Sequence, residues 1–194
     1  MKKIVFASSN EHKVAEVRTI LGDQFEVLSL KDINCLEDIP ETQETIEGNA
    51  IQKATYVTAN YGLDCFADDT GLEIEALDGR PGIYSARYGG PERNAKKNMK
   101  KVLSELKGLD NRKARFKTVI AFSFRGKTKT FSGITKGLIL EVPVGNSGFG
   151  YDPIFQPEGH VQSFGVLDES IKNKISSRAR AVEQFVSHLK ALPV

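Results

Sequence analysis

The sequence predicts an α/β protein with a mixed β-sheet and flanking helices, and three observations support this class. Early in the chain, short apolar segments alternate with segments whose apolar residues recur at helical spacing. In the middle, apolar runs are separated by turn residues, as in β-hairpins. The 194 residues contain no linker-like segment and no internal repeat, so we predict one domain over residues 1–194, long enough for two lobes.

The first third of the chain is predicted to contain two strands and two helices. The apolar run of residues 3–7 predicts a buried first strand, and residues 25–30 predict a second. Between them, apolar residues recur at helical spacing over residues 14–21. A second helix is predicted to begin after the capping residue Thr45 and to end at Gly62.

In the middle third we predict a hairpin and a helix. Residues 65–67 predict a strand that enters an acidic turn at residues 68–71, and residues 72–77 predict its returning strand. Turn residues follow at positions 78–82. Apolar residues at helical spacing then predict a helix over residues 94–106.

The last third is predicted to contain three strands and a final helix. Residues 116–124 and 128–134 predict two strands joined by a tight turn, and residues 138–142 predict a third. A glycine-rich loop follows at residues 145–150. The final helix is predicted to begin at the capping residue Ser176.

The composition excludes several classes of protein. A formal net charge of +2 gives no basic face for wrapping a nucleic acid. The apolar run at the N-terminus is too short for a secretory signal and no segment is long enough to span a bilayer, so we predict a cytoplasmic protein without a membrane partner. Cys35 and Cys65 are isolated, which indicates two reduced thiols rather than a zinc site or a disulfide.

Four polar segments are candidates for chemistry, and the first is Ser8-Ser9-Asn10-Glu11-His12-Lys13. It lies between the first strand and the first helix, where unpaired backbone N–H groups and the helix dipole favour an anion such as phosphate. On spacing alone, the simpler interpretation is that Ser9 or Asn10 caps the helix while Lys13 is solvated, because the segment is neither a P-loop nor a GxGxxG motif.

The second segment is Ala67-Asp68-Asp69-Thr70-Gly71. Adjacent carboxylates repel one another unless a cation, solvent or a proton relieves the repulsion. Mg²⁺ is a natural cation for such a pair, because it takes oxygen ligands and shares them with substrate phosphates. A solvated acidic turn explains the pair equally well. Glu41, Glu44 and Glu47 add carboxylates around the start of the second predicted helix, although acidic residues at helix starts mostly favour the helix dipole.

The third segment, Gly148-Phe149-Gly150-Tyr151-Asp152, places aromatic rings among glycines and beside a carboxylate that can accept hydrogen bonds from a nucleobase. Taken alone, a turn with both rings in the core is the simpler interpretation. The fourth segment runs from Lys172 to Arg178, ahead of the last helix. Basic residues at a helix start oppose the dipole, which slightly favours an anionic partner over a solvated surface.

Together these segments resemble the motifs of the inosine triphosphate pyrophosphatase family, whose members hydrolyse non-standard purine nucleoside triphosphates. The family patterns T/S-x-N-x-x-K and A-D-D-S/T-G-L match residues 8–13 and 67–72. P-G-I-Y-S-A-R-Y and F-G-Y-D-P-I-F match residues 81–88 and 149–155. K-N-x-I-S-H-R matches residues 172–178, except that Ser177 replaces the usual histidine. The five motifs occur in family order, so the resemblance covers essentially the whole chain.

The resemblance implies a role for each matching residue. The triphosphate would be held by Ser8, Ser9, Asn10, Glu11, His12 and Lys13, with help from Lys53. Mg²⁺ would be bound by Glu41 and Asp69. Asp69 is also the implied general base, supported by Asp68, and Thr70 would touch the substrate. Phe149 would stack on the purine within the loop that includes Gly150 and Tyr151, and the purine edge would be read by Asp152, Lys172, Ser177 and Arg178.

The resemblance also implies a fold and a reaction. The family fold is an elongated mixed sheet with flanking helices and a deep substrate cleft between two lobes, and its members are usually homodimers. The implied reaction is metal-assisted hydrolysis of ITP, dITP and XTP to a monophosphate and pyrophosphate. A covalent mechanism is poorly supported, because no serine or cysteine has an evident histidine partner. Two alternatives remain open: a pyrophosphatase for other modified nucleotides, and a nucleotide sensor without catalysis.

Overall fold

A computed structural model describes residues 2–21 and 25–191, without the side chains of His12, Glu16, Thr19 and Ile20. The strands in these ranges are β1 (Lys2–Phe6), β2 (Phe25–Leu28), β3 (Cys65–Ile74), β4 (Lys113–Phe124), β5 (Lys127–Ile139) and β6 (Phe155–Pro157). The α-helices in these ranges are α1 (Glu11–Leu21), α2 (Ile46–Tyr61), α3 (Ala95–Glu105), α4 (Glu169–Ile175) and α5 (Ser177–Ala191). None of these helices combines the length and the apolarity needed to cross a bilayer.

The strands form one mixed sheet in the order β2-β1-β3-β4-β5-β6. β1 pairs in parallel with both β2 and β3, whereas β5 and β6 are antiparallel. β4 and β5 are joined by Arg125 and Gly126, whose φ angles of 49° and 75° suit a two-residue hairpin turn. The mixed sheet with flanking helices predicted from the sequence is therefore confirmed.

The chain divides into two compact units, and β3, β4 and β5 each supply residues to both. The first unit comprises residues 1–69, 119–131 and 182–194. Its core contains a cluster of phenylalanine rings, in which Phe6 and Phe66 stack with centroids 4.7 Å apart. Phe185 of α5 packs against Phe66 at 4.8 Å and against Phe122 at 5.3 Å. These contacts attach α5 to the strands of this unit.

The second unit comprises residues 70–118 and 132–181 and has its own core. Leu72, Val102 and Leu106 are fully buried in it. Phe155 of β6 stacks with Phe164 at a centroid distance of 5.5 Å. The side of α3 that carries Met99 and Val102 supplies the helical part of this core.

The helix predicted from its capping residues Thr45 and Gly62 and the helix predicted from apolar spacing over residues 94–106 are both confirmed. Thr45 is the N-cap of α2, and its side chain accepts a hydrogen bond from the N–H of Gly48. Gly62 ends the helix in the left-handed conformation, with φ of 66°. Asn94 caps α3 by accepting a hydrogen bond from the N–H of Lys97. The helix predicted over residues 14–21 is also present, as part of α1.

The acidic turn predicted at residues 68–71 is wrong. Those residues lie within β3, a continuous ten-residue strand, and the return to residues 72–77 does not exist. Aspartate and glycine are uncommon inside strands, so this polar segment resembles a turn in sequence. Here lysine ammonium groups contact both Asp68 and Asp69, and the charge on each carboxylate is compensated without a turn. Turn residues do follow at positions 78–79, where Asp78 and Gly79 both have positive φ.

The two strands predicted over residues 128–134 and 138–142 are instead one strand, β5. Gly137 lies within this strand and allows β6 to approach closely, because a Cβ atom there would collide with the carbonyl oxygen of Gln156 and with the ring of Phe155. The same strand passes close to α5 at Gly133, where a Cβ atom would collide with the carbonyl oxygen of Ser177 and lie 2.7 Å from the nitrogen of Ala181. The short strand β6 was not predicted.

The prediction of a basic helix start at residues 172–178 is also wrong in part. Lys172 and Lys174 lie in the last turn of α4, a helix absent from the prediction, where positive charge favours the dipole. The dipole argument for an anionic partner therefore fails. The predicted cap is confirmed, because Ser176 Oγ accepts a hydrogen bond of 3.1 Å from the N–H of Ala179 in α5.

Candidate active site

The loop between β1 and α1 is organised by its own side chains. Ser8 Oγ accepts a 3.2 Å hydrogen bond from the N–H of Asn10, and Asn10 Oδ1 accepts a 3.3 Å hydrogen bond from the N–H of Lys13. Asn10 thus caps α1, as the simpler interpretation proposed. Ser8 is buried, whereas Ser9 and Glu11 are exposed. The side chain of His12 lies outside the described residues.

Lys13 is not merely solvated. Its ammonium lies 3.0 and 3.2 Å from the two carboxylate oxygens of Asp68, although 55 residues separate them in sequence. The Asp68 side chain is 3% exposed and that of Lys13 is 21% exposed. Because β1 and β3 are parallel neighbours, the loop after β1 and the acidic part of β3 lie at the same edge of the sheet. The pairing joins the first two candidate segments.

A second lysine contacts two further candidate carboxylates, those of Glu41 and Asp69. Lys53 of α2 places its ammonium 2.6 Å from Glu41 Oε1 and 3.4 Å from Asp69 Oδ1. Burial alone would lower the pKa of Lys53, but the negative charges of Asp69, Asp68 and Glu41 outweigh it and the pKa is raised. The pKa of Asp69 is raised chiefly by burial, which the charge of Lys53 only partly offsets.

These groups form what we call the acidic cluster: Glu41, Asp68 and Asp69 with Lys13 and Lys53. Within the described part of the chain, no three His, Cys, Asp or Glu side chains converge as a preformed metal site. The donors nevertheless fit Mg²⁺, because Glu41 and Asp69 direct oxygens at a shared cationic position. Mg²⁺ usually needs only one or two carboxylates when substrate phosphates and water complete its octahedron.

The third and fourth segments meet in the second unit. Asp152 Oδ2 accepts a 2.8 Å hydrogen bond from the N–H of Phe149 and forms an ion pair with Lys172. The Lys172 ammonium lies 4.6 Å from the centroid of the Phe149 ring, and the guanidinium carbon of Arg178 lies 5.5 Å from it. Gly148 has a φ of 76°, and a Cβ atom there would collide with the Asp152 carboxylate. We call these residues the aromatic cluster.

Phe149 and Tyr151 have opposite environments. Phe149 is 56% exposed, which is unusual for a phenylalanine and leaves a ring available for stacking. Tyr151 is 5% exposed and donates a 2.7 Å hydrogen bond to the carbonyl oxygen of Ser85. Burial raises the pKa of Tyr151. Tyr151 therefore supports the loop from the core, and Gly150 beside it has a positive φ of 62°.

Sequence analysis did not identify Thr118, a buried residue whose hydroxyl contacts two of the predicted site residues, Thr70 and Ser177. Thr118 of β4 is fully buried, and its Oγ1 lies 2.9 Å from Thr70 Oγ1 and 2.8 Å from Ser177 Oγ. The only signal in the sequence is a hydroxyl residue inside an apolar strand. That signal does not identify the partners, which lie 48 and 59 residues away in the chain.

The fold is shared with solved structures of Ham1 proteins, which form a class of α/β proteins with a mixed sheet. The structure of a HAM1 protein from Coxiella burnetii superposes with a TM-score of 0.93 at 37% identity, covering 99% of this chain and 100% of that one. The Staphylococcus aureus Ham1 protein gives a TM-score of 0.92 at 35% identity, covering 97% and 98%. Both likenesses extend over essentially the full length.

The family follows from the sequence comparison. The model of the Ham1 family matches residues 4–188. A dITP/XTP pyrophosphatase of Flavobacterium johnsoniae is 55% identical over 189 residues, 97% of this chain and 98% of that protein. The Bacillus subtilis dITP/XTP pyrophosphatase is 44% identical and covers 98% of both chains. The chain belongs to the Ham1 family, and the resemblance drawn from the five motifs is confirmed.

Proposed function

We propose that this protein hydrolyses non-standard purine nucleoside triphosphates, ITP, dITP and XTP, to the monophosphate and pyrophosphate. The observation that carries the proposal is the acidic cluster, in which two lysines and three carboxylates from separate segments contact one another. Relatives over the full length bear the name dITP/XTP pyrophosphatase, which supports the same reaction and substrate class.

The acidic cluster is suited to a triphosphate and its counter-ion. Glu41 and Asp69 would bind Mg²⁺, which supplies positive charge to the phosphate oxygens and acidifies a nearby water. Lys13 and Lys53 would exchange their carboxylate contacts for phosphate oxygens, as the ion takes over compensation of the carboxylates. Ser8 and Asn10, with the backbone at the start of α1, would hold the remaining phosphate oxygens.

Asp69 is the proposed general base. Its burial raises its pKa, so the carboxylate is a stronger base than a solvated aspartate. Lys53, at 3.4 Å, keeps a compensating charge near it. Asp68 supports this arrangement indirectly, because its two oxygens are engaged with Lys13. The lysines also favour departure of pyrophosphate by stabilising its charge.

The aromatic cluster would select the base. The exposed ring of Phe149 offers a stacking surface, and Asp152, Lys172 and Arg178 lie around it with donors and acceptors. Ser177, beside Arg178 in sequence, is a further residue that the family resemblance assigns to the purine edge. Hypoxanthine and xanthine carry a carbonyl at the six-position, which accepts from donors such as Arg178. Adenine presents an amine there and leaves those buried donors unpaired, an arrangement that can reject an analogue by about 10⁴–10⁵.

Two further properties belong to this proposal. We propose that the protein acts as a homodimer in the cytoplasm, as the family resemblance implies. Light scattering of the purified protein tests the first property, and a mass near that of one 21.4 kDa chain would contradict it. Fractionation of cells that express the protein tests the second.

The deciding experiment is a pyrophosphate-release assay with inosine, xanthosine, guanosine and adenosine triphosphates, each with and without Mg²⁺. We expect Mg²⁺-dependent release from inosine and xanthosine triphosphates, and much slower release from the other two. Faster release from pyrimidine or methylated nucleotides in a wider panel would reassign the substrate class. Binding without release from any nucleotide would indicate a sensor.

A further inference from the structure

We propose that Gln52 is a positioning residue for Glu41, an inference that rests on the proposed role of Glu41 in binding Mg²⁺. Glu41 lies between β2 and α2, in a part of the chain that the structure describes in full and that contains neither a strand nor a helix. Holding a carboxylate in one place within such a segment costs conformational entropy, so other contacts must offset that cost. These contacts come from α2.

Residues 41–43, which we call the docked segment, lie along α2 and contact its side chains. The ammonium of Lys53 lies 2.6 Å from Glu41 Oε1. The side-chain amide of Gln52 forms two hydrogen bonds of 2.9 Å with Thr42, because its Oε1 accepts from the backbone N–H and its Nε2 donates to Oγ1. Consecutive residues of the docked segment thus contact consecutive residues of the helix in reverse order.

The contact continues in the same direction at the third residue of the docked segment. Asn49 Oδ1 accepts a 2.9 Å hydrogen bond from the N–H of Gln43, and Asn49 is only 3% exposed. Positions 49, 52 and 53 are three and four residues apart, so they lie on one face of α2. At Gly48 the approach is close, since a Cβ atom there would lie 2.8 Å from the Cβ of Gln43. One face of the helix therefore holds all three residues.

The hydrogen bonds of Gln52 act directly on Glu41 because of peptide geometry. The N–H of Thr42 and the carbonyl group of Glu41 belong to one planar peptide unit, which begins at the Cα of Glu41. An acceptor that holds this N–H therefore restricts the plane next to the Glu41 side chain. The second hydrogen bond, to Thr42 Oγ1, restricts rotation about the first, so one amide fixes the orientation as well as the distance.

The role of Gln52 is to place the ligand, and the chemistry belongs to other groups. Mg²⁺ demands near-ideal octahedral geometry, so a displaced carboxylate binds it less tightly. Asp69, the proposed base, is held in β3 and not in the docked segment. Loss of the Gln52 amide should therefore weaken the binding of Mg²⁺ and leave the reaction of the saturated enzyme largely intact.

The test is the variant Gln52→Met, which nearly preserves side-chain length and helix propensity but removes both hydrogen bonds. At a fixed ITP concentration, we expect the Mg²⁺ concentration for half-maximal pyrophosphate release to rise roughly five-fold, whereas kcat at saturating Mg²⁺ should change less than about two-fold. Thr42→Ser keeps the hydroxyl and should keep the wild-type Mg²⁺ requirement. In the Gln52→Met background, Thr42→Val should have no further effect, because its partner is already absent.

A second measurement needs neither metal nor nucleotide. Amide hydrogen exchange reports the local opening of individual N–H groups. In Gln52→Met, the Thr42 amide should exchange about five-fold faster than in the wild type. The amide of Gly62, which donates to the carbonyl of Thr58 at the far end of α2, should exchange at the wild-type rate. Unchanged exchange at Thr42 would show that Gln52 does not hold the docked segment, and it would overturn the inference.

A matched control on the same helix separates positioning from helix stability. The side-chain amide of Asn60 is exposed and donates a 2.8 Å hydrogen bond to the carbonyl of Tyr56 within α2. Asn60→Leu therefore removes an amide from this helix without removing a contact to the docked segment, and the Mg²⁺ requirement should stay at the wild-type value. A rise as large as that of Gln52→Met would assign the effect to the helix as a whole and refute the role of Gln52.

Failure of this inference and failure of the proposed function are distinguishable. Pyrophosphate release by the wild type, together with an unchanged Mg²⁺ requirement in Gln52→Met, would refute the positioning role and leave the proposed function intact. Absence of pyrophosphate release by the wild-type protein would instead refute the proposed function, and this inference with it.

Discussion

The buried ammonium of Lys53 contacts two carboxylates, those of Glu41 and Asp69, and this contact explains how Asp69 can lie within a strand. A carboxylate in that position loses solvation, which raises its pKa, and a nearby cation recovers part of the loss. Lys53 is 2.6 Å from Glu41 and 3.4 Å from Asp69, so one side chain serves both acids. The residues proposed for metal binding are thus also those that need a cation for stability.

Replacing Asp69 by Asn tests the base directly. We expect kcat to fall by at least about 10²-fold, because the amide cannot accept the proton from water, whereas nucleotide affinity should change little. Single-turnover kinetics and calorimetric binding provide the two measurements. Asp78→Asn is the matched control, because Asp78 is exposed and its φ of 53° suits asparagine equally well. Near-normal turnover in Asp69→Asn would exclude Asp69 as the base.

Replacing Lys53 by Met tests the charge balance of the acidic cluster. The variant leaves Glu41 and Asp69 without their shared ammonium, and we expect a loss of about 3 kcal/mol in the free energy of unfolding, the lower end for a buried ion pair. Mg²⁺ should raise the melting temperature of the variant more than that of the wild type, because the ion compensates the same carboxylates. Lys31→Met removes a lysine whose side chain is 78% exposed, and it should change neither quantity. Equal responses to Mg²⁺ would contradict the assignment of these ligands.

At the scale of elements, α5 joins the first unit through aromatic contacts, and His188 takes part in them. Its ring lies 5.2 Å from Phe131 and 6.3 Å from Phe122, and Lys129 Nζ is 3.3 Å from its Nδ1. Burial, followed by the charge of Lys129, lowers the pKa of His188 below its ordinary value of 6.5. The folded state therefore favours the neutral imidazole.

The sign of the pH dependence follows from that shift. Above about pH 6.5 the imidazole is neutral in both states, and the contribution to stability is complete. Below that pH the unfolded chain binds the proton more readily, so stability falls as the pH decreases through the folded-state pKa. Urea unfolding at pH 7.5 and pH 5.5 should show a smaller decrease in His188→Gln than in the wild type. The decrease in the free energy of unfolding of Lys129→Met should lie between those of His188→Gln and the wild type. An identical decrease in all three proteins would contradict the prediction.

The contact between β5 and β6 depends on Gly137. A methyl group at this position would meet the carbonyl oxygen of Gln156 and the ring of Phe155, and neither atom belongs to a flexible side-chain end. We expect Gly137→Ala to lower the free energy of unfolding by about 1–3 kcal/mol, measured by chemical denaturation. Lys136→Ala, at the exposed position beside it, is the control and should cost little. A neutral Gly137→Ala would show that β6 can move away from β5.

At the scale of the whole molecule, each unit has a separate core, but three strands belong to both. We expect a single unfolding transition, because neither core can be lost without disrupting β3, β4 and β5. Phe66→Ala in the first core and Leu106→Ala in the second should each cost about 2–5 kcal/mol and shift that one transition. Calorimetry compares the calorimetric and van't Hoff enthalpies. Two resolved transitions in either variant would show that the units unfold independently.

The sequence predicts local features more completely than distant ones. Thr45, Gly62 and Asn94 act within a few residues of themselves, so the ends of α2 and α3 follow from the chain directly. The continuity of β3 does not, because it depends on lysines 55 and 16 residues away. The motifs contain most residues of both clusters, whereas Glu41 and Lys53 lie outside them and were assigned by the family resemblance alone. Neither the motifs nor the resemblance predicts the contacts among these residues, and Thr118 has no motif at all.

The close passage of β5 at Gly133 helps to fix the position of the first turn of α5. The first turn of α5 packs directly against the backbone of β5 at this glycine, and the guanidinium of Arg180 donates a 3.0 Å hydrogen bond to the carbonyl oxygen of Ile134. The close backbone approach at Gly133 and the Arg180 side chain therefore hold that turn in addition to the contact of Ser177 with Thr118. We therefore expect that replacing Ser177 by histidine leaves α5 in place, so that the surface proposed to read the base can change one residue at a time on the same scaffold.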